Sequence, residues 1–393
     1  MTTCQDPHTA PTPPVTRPPR GLSAATFVSS FDRFVISPML VPIAAGMGVP
    51  LATAVTTASG YFLAYGLSQP LWGVLSDRFG RVRIVRGTLL AAAVAGVVSA
   101  FAPTMAVLAV ARIVAGAFFG AVVPTSLTYV GDTVSAGRRQ RALSDLMASM
   151  ALGTAIATAF GGVLAHLLDW RVVFATSGAC AVLCFFALRA LPEPPRPPAA
   201  GVRENLRAVL RNRWALLVFG LVFVEGAVLL GTMTLLAAAL QERGVSAAVA
   251  GLATAAFGVG VLGFSLLVKR LTGRIPVWWL MALGGAQMCL GYGIVAGRVG
   301  LVTVAVTALL LGGGWSFMHS SLQTWATSVA PQARGTAVAF FAAALFIGSS
   351  VAVSAAGPLA QHGRYGLLFG IACALSVPLT VAAVVCRRRW PGR

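Results

Sequence analysis

Acidic residues are scarce in this chain: Asp and Glu together number ten in 393 residues, and all charged residues make up 10%. Soluble domains carry about 25% charged residues, so this chain cannot supply a water-facing surface all round. Hydrophobic residues reach 57% and mean hydropathy +0.84, the composition of a protein dissolved in lipid. Cysteine is also sparse, with six in all. Cys180 and Cys184 fall one turn apart on a single predicted helix and the rest are scattered through apolar runs, so they are expected as small apolar fillers rather than a disulfide framework. The four histidines, His8, His166, His319 and His362, lie far apart in sequence. There is no H-E-x-x-H metal site and no G-x-S-x-G nucleophile elbow, so neither an intramembrane enzyme nor a metal site is expected. Residues 1–20 contain no apolar run, and the first such run is interrupted by Asp32 and Arg33. That pattern reads as a disordered tail, not a cleaved leader.

Arginine, by contrast, is plentiful and drives the formal net charge to +19. On a soluble domain this would point to nucleic acid. Here the bases fall in short clusters between apolar runs, such as Arg78, Arg81, Arg83 and Arg86, or Arg138, Arg139 and Arg141, and short basic loops stay on the cytoplasmic side of a membrane. At about 20 apolar residues per span, the runs predict helices near 22–46, 51–74, 84–102, 104–129, 144–168 and 171–191, then 214–240, 247–268, 276–296, 299–325, 334–359 and 364–386. With twelve spans both tails share a side. Twenty-three of the 29 basic residues lie on that side, four (Arg171, Arg243, Arg298, Arg364) on the other, and two, Arg33 and Arg112, inside helices. Both termini are therefore expected in the cytoplasm, the protein being multi-pass in the cytoplasmic membrane.

One long polar interruption, Leu191 to Arg213, divides the chain at its middle. The expected organisation is a cytoplasmic tail (1–21), a six-helix bundle (22–191), a linker (192–213), a second six-helix bundle (214–386) and a short tail (387–393). The halves also repeat at a constant offset of 195: Ser126 and Leu127 meet Ser321 and Leu322, Gly153 meets Gly348, Gly162 meets Gly357 and Phe174 meets Phe369. Internal repeats of this kind characterise transporter folds. The fold class expected is an all-α membrane protein, with twelve transmembrane helices in two pseudo-symmetric six-helix bundles.

After the second predicted helix the chain reads Gly73, Val74, Leu75, Ser76, Asp77, Arg78, Phe79, Gly80, Arg81, Val82, Arg83. This resembles the G-x-L-a-D-R-x-G-R-[KR] signature, motif A, of the major facilitator superfamily, with Val82 in place of the usual second base. Arg112 to Gly116 is similar to the family's R-x-x-x-G motif, Trp170 to Phe174 to its W-R-x-x-F, and Ala330 to Gly335 to its loop into helix 11. The resemblance covers about residues 22–386. It implies a gating latch from Gly73, Asp77, Arg78, Gly80 and Arg81, with Asp77 engaging the start of helix 11 near Arg334 to Thr336, where a helix dipole favours a carboxylate. The plainer alternative is that these bases only enforce topology. The matching loop of the second half, Gly263 to Arg274, has no aspartate and is expected to lack a latch.

Ionisable groups inside a membrane helix are functional candidates. Asp32, Arg112 and Glu225 fall at similar depths on predicted helices 1, 4 and 7, which line the cavity in the resembled family, so one shared central cavity is expected, with Arg33 on another face of helix 1. A carboxylate there suits proton coupling, Arg112 being the fixed positive partner; the alternative is a static Asp32 to Arg112 pair. Tyr61, Tyr65, Met233, Phe257, Trp315 and His319 are candidate pocket residues, against ordinary packing for the aromatics and a hydrogen bond between helices for the histidine.

The resemblance favours the twelve-helix drug and metabolite efflux branch: export of a small amphipathic compound by proton antiport. It implies no cofactor beyond the proton gradient, with partners limited to substrate, protons and lipid, and no nucleic acid. One chain suffices for alternating access, so a monomer is expected. Ala157 and Thr158 stand where exporters often carry a Gly-Pro pair. Uptake or facilitated diffusion of a small polar solute is therefore the alternative, and a transport-inactive sensor or scaffold ranks below both.

Overall fold

Twelve long helices make up most of the described residues. In order they are α1 (Arg20–Met47), α2 (Leu51–Phe79), α3 (Arg81–Ala100), α4 (Met105–Thr133), α5 (Ala136–Leu167) and α6 (Trp170–Ala190), followed by α7 (Arg213–Glu242), α8 (Ala247–Leu271), α9 (Val277–Gly297), α10 (Leu301–Val329), α11 (Arg334–Gln361) and α12 (Tyr365–Arg389). The computed structural model describes residues 20–194 and 201–392. Most of the expected N-tail and the centre of the expected linker lie outside these residues. Among those described there is no strand beyond an isolated bridge between Thr272 and Ile275. A short amphipathic helix, Val202–Leu210, precedes α7.

Eleven of the twelve are long and apolar enough to cross a membrane. The exception, α2, is 29 residues long, about 43 Å at 1.5 Å per residue, and falls short only in apolarity. Its sequence carries Thr56, Thr57, Ser59, Tyr61, Tyr65, Ser68 and Gln69, because much of it faces other helices rather than lipid. Helix starts use ordinary caps: Thr104, Asp169 and Ser246 side chains accept from backbone N–H groups two or three residues on, and Asn212 accepts from Trp214 and Ala215.

The repeat seen in sequence is a packing repeat. A Cβ on Gly153 (α5) would meet the backbone of Phe27 (α1), and one on Gly348 (α11) would meet the backbone of Phe223 (α7). Between halves, Gly162 (α5) abuts Ala247 (α8) while Gly357 (α11) faces Ala52 (α2). Ala52 and Ala247 are themselves 195 apart, so the two cross-half contacts are one contact repeated about a pseudo-twofold axis. Small residues at these crossings let backbones approach, as helix packing in lipid requires.

These contacts also fix the conformation. On the face away from the termini the halves are joined: Ala52 N donates to Gln361 Oε1 at 3.1 Å, Gln241 Nε2 to the Pro38 carbonyl at 3.0 Å and Ser37 Oγ to the Thr234 carbonyl at 2.8 Å. Deeper in, Ser350 Oγ donates to the Ser59 carbonyl at 2.8 Å and Gly66 abuts Phe346. Toward the termini, Cβ positions on Gly73 of α2 and Gly335 of α11 would meet open space. On the far face, then, the two halves are held together.

Four helices are interrupted near mid-length. α1 breaks into a 3-10 turn at Ser37–Met39, where Pro38 removes a backbone donor, and α4 breaks at Gly120 and Ala121. α7 and α10 each contain a π turn, Ala227–Gly231 and Trp315–His319. Such turns commonly mark functional sites, and the charged residues lie beside them.

Candidate functional site

Three buried charged places occupy the centre. The first is inside the N-terminal half. Asp32 on α1 is fully buried and Arg112 on α4 is 1% exposed. Arg112 Nη2 donates to Asp32 Oδ2 at 2.7 Å and to the Asp32 carbonyl at 3.2 Å, and Nη1 donates to Oδ1 at 3.2 Å. Ser177 Oγ on α6 completes the carboxylate, donating to Oδ1 at 2.6 Å. The guanidinium lies between the Tyr61 and Phe174 rings, 4.8 and 4.6 Å from their centroids. Both carboxylate oxygens are taken, while Arg112 Nε has no hydrogen-bond partner among the described residues.

The second lies inside the C-terminal half. Glu225, fully buried at the start of the π turn of α7, places Oε2 3.0 Å from His319 Nδ1 at the end of the π turn of α10. Its Oε1 has no partner. The imidazole stacks on Trp315 with centroids 3.7 Å apart and tilts against Phe341 of α11.

The third lies between the halves. Arg33, buried, donates from Nη1 to Tyr65 Oη at 3.2 Å and from Nη2 to Ser30 Oγ at 3.3 Å, while its Nε has no acceptor. The rings of Phe34, Tyr65 and Phe346 surround it at 4.9 to 5.2 Å. It faces a narrow space shared with Phe34, Thr158, Met233, Thr254 and Phe257. In this conformation the side chains fill it too closely for anything larger than water.

The expected single cavity for Asp32, Arg112 and Glu225 is therefore corrected: each acid pairs within its own half, and Arg33 reaches the space between. Consecutive residues on a helix point about 100° apart, so once Asp32 turns to α4 and α6, Arg33 must turn to α2 and α11. Nor are Asp32 and Glu225 repeat equivalents. The matched contacts of Phe27 and Phe223 set Glu225 level with Ser29 or Ser30, two or three residues short of the Asp32 position and on another helix face.

Of the candidate pocket residues, Met233, Phe257 and Tyr65 gather around Arg33, Tyr61 packs over Arg112, and Trp315 and His319 belong to the Glu225 site. Sequence reading missed Ser177, a lone serine in an apolar helix, and Phe346, which carried no signal beyond hydrophobicity.

The motif A loop also departs from expectation. Asp77, largely exposed, pairs with Arg81 Nη1 at 3.0 Å, and Arg81 Nε contacts Asp132 at the end of α4 at 2.5 Å. No described contact joins Asp77 to Arg334, Gly335 or Thr336. Arg78 lies over the Phe79 ring at the surface. A third missed residue, Glu193, takes the start of α3: Val82 and Arg83 N–H groups each donate to its carboxylate at 3.2 Å. A carboxylate there meets the positive end of a helix. Gly80 is required twice over, by its φ of 105° and because a Cβ would occupy the space taken by that carboxylate.

Residues 22–353 match the sequence profile of the Major Facilitator Superfamily. The chain belongs to this family. It is 26% identical over 369 residues to a chloramphenicol resistance protein of Streptomyces lividans, covering 92% of this chain and 94% of that one. It is 28% identical over 234 residues to a puromycin resistance protein of Streptomyces alboniger, covering 56% and 46%. In structure it is similar to a bacterial homologue of the human lysosomal transporter Spinster, with TM-score 0.76, 17% identity and 95% and 98% of the two chains covered. This major facilitator chain is thus a multi-pass membrane protein built as a small-molecule transporter.

Proposed function

We propose that the protein exports a small amphipathic drug or metabolite in exchange for protons by alternating access, with Glu225 carrying the proton. The observation behind this reading is the unfilled Oε1 of a fully buried Glu225 whose other oxygen rests on a titratable histidine. A carboxylate with one oxygen bonded and the other open has a place to take up a proton while the 3.0 Å contact to His319 is kept. Asp32, saturated by Arg112 and Ser177, serves instead as a fixed strut joining α1, α4 and α6. The resistance proteins among the relatives favour export.

On this reading the terminal face is cytoplasmic, in keeping with its basic loops. Gly73, Asp77, Arg78, Gly80 and Arg81 then form the latch that meets the start of α11 when the cytoplasmic face closes. Substrate, protons and lipid are its partners, and a single chain performs the cycle without a cofactor. The second reading, uptake or facilitated diffusion of a polar solute, is favoured by Ala157 and Thr158 replacing the exporters' Gly-Pro pair.

Proton flux from acid-loaded inverted vesicles decides between them. Cationic, neutral and anionic compounds should include at least one that collapses the gradient through wild type and through the double variant Asp32→Asn with Arg112→Met, but not through Glu225→Gln. Loss in that double variant, when it folds as wild type, with retention in Glu225→Gln would reverse the assignment. Equilibration of labelled solute with no proton movement would replace export by facilitated diffusion.

A further inference from the structure

Of the charged residues buried at the centre, Arg33 stands apart. Arg112 has a carboxylate and His319 has another, yet among the described residues no carboxylate lies within ion-pair distance of Arg33. Its hydrogen-bond partners are a phenol and a hydroxyl, both neutral, and its Nε–H, like that of Arg112, has no acceptor among the described residues. Aromatic faces relieve a buried cation only in part. A guanidinium left this way in an apolar interior is a binding position awaiting an anion, since charge-assisted hydrogen bonds are the strong ones and Arg presents a fixed donor fork to carboxylates.

The rest of the cavity narrows the chemistry. Its walls are apolar at Phe34, Ile36, Met233 and Phe257. The hydroxyls of Thr154, Thr158 and Thr254 already donate to carbonyls of their own helices, so toward a ligand they offer oxygen acceptors. No acid lines the space, which leaves a cationic compound with nothing to oppose its charge. Arg33 also touches both halves, through Tyr65 of α2 and Phe346 of α11, so an anion held there sits where the halves must move against each other.

We infer that Arg33 anchors an amphipathic substrate carrying one carboxylate on a flat apolar body, with O–H or N–H groups directed to the threonine oxygens. This deepens the export reading and rests on it for the claim that the bound compound is transported.

Binding to the purified full chain in detergent tests it by equilibrium dialysis, without any gradient. The probes are 6-hydroxy-2-naphthoate, its carboxamide and its aminomethyl analogue, which share one ring system and differ in charge. The acid is expected to bind at least about ten-fold more tightly than the amide, the amine more weakly than either. Arg33→Gln should erase the preference for the acid while leaving the amide within about three-fold, and Arg33→Lys should keep part of it. Failure of the acid to bind, equal binding of the three, tighter binding of the amine, or equal weakening of acid and amide by Arg33→Gln each overturns the inference. Should Arg33→Gln not fold, the wild-type ratios and Arg33→Lys still decide. Because no proton gradient enters, acid binding without proton exchange refutes the export reading alone, whereas proton-coupled export of compounds regardless of charge refutes this inference alone.

Discussion

In the N-terminal half the buried acid has both oxygens taken by an arginine and a serine; in the C-terminal half it has one oxygen on a histidine and one left open. The scaffold beneath is shared. Gly153 on Phe27 and Gly348 on Phe223 are the same crossing made twice. Yet the charged positions do not repeat: 195 residues beyond Asp32, Arg112 and Ser177 stand Ala227, Thr307 and Ala372. Thr307 only bonds the Gly291 carbonyl and Ala372 only packs. The repeat has kept its backbone crossings and let the two centres diverge, one into a fixed ion pair, the other into a site with room for a proton.

The sharpest way to break this comparison is to remove one partner on each side. Arg112→Met strands Asp32 in the interior, and a buried charge losing its partner destabilises by about 3–5 kcal/mol. Thermal unfolding of the detergent-solubilised chain should show a large drop, mostly restored in the double variant Asp32→Asn with Arg112→Met, where neither charge remains. Glu225→Gln should cost under about 1 kcal/mol by the same measurement, since the amide keeps the contact to His319 and adds no unpaired charge. A fall in stability as large as that of Arg112→Met would show the C-terminal pair to be a strut as well.

Next in size is the shared scaffold. Gly153→Ala and Gly348→Ala each press a methyl group onto backbone, and overpacking of this kind costs about 1–3 kcal/mol. The two are expected to lower the unfolding temperature alike. The cross-half pair should not behave alike, because Gly162 abuts the Ala247 backbone while Gly357 keeps an ordinary 3.6 Å from Ala52. Gly162→Ala should destabilise measurably and Gly357→Ala barely. Equal effects would mean that the far-face contact is as tight on both sides of the pseudo-twofold axis.

Composition and hydropathy made the twelve helices legible, because a backbone in lipid has almost no alternative to helix. Their terminal-face ends were read short: α5 begins at Ala136 rather than 144, and α2 runs to Phe79 rather than 74. A hydropathy reading stops at the first charge, whereas arginine is a good helix former whose stem lies along apolar surface while its head reaches water. The contact of Asp32 with Arg112 was legible from depth, as was the separate direction of Arg33 from its 100° offset. The pairing of Glu225 with His319 was not. It depends on two π turns, each inserting a residue into the helical count and rotating the N-terminal part of its helix against the C-terminal part. Glu193 was hidden for another reason: its partner is the backbone at the start of α3, which has no side-chain signature in sequence.

Ser177 offers the finest test of how the halves diverged. Its hydroxyl donates to Asp32 Oδ1 at 2.6 Å, and a hydrogen bond to a charged group contributes about 1.5–3 kcal/mol. Because Arg112 remains to hold the carboxylate, Ser177→Ala should fall at or below the low end, well short of the loss expected for Arg112→Met. At the repeat position Ala372→Ser adds a hydroxyl with no acid to meet. A serine in a helix bonds the carbonyl four residues back, as Ser376 does to Ala372, so this change should be close to neutral. If Ala372→Ser instead destabilised as much as Ser177→Ala, the loss would reflect helix packing common to both halves, and the third arm of the Asp32 site would lose its role as a hydrogen bond.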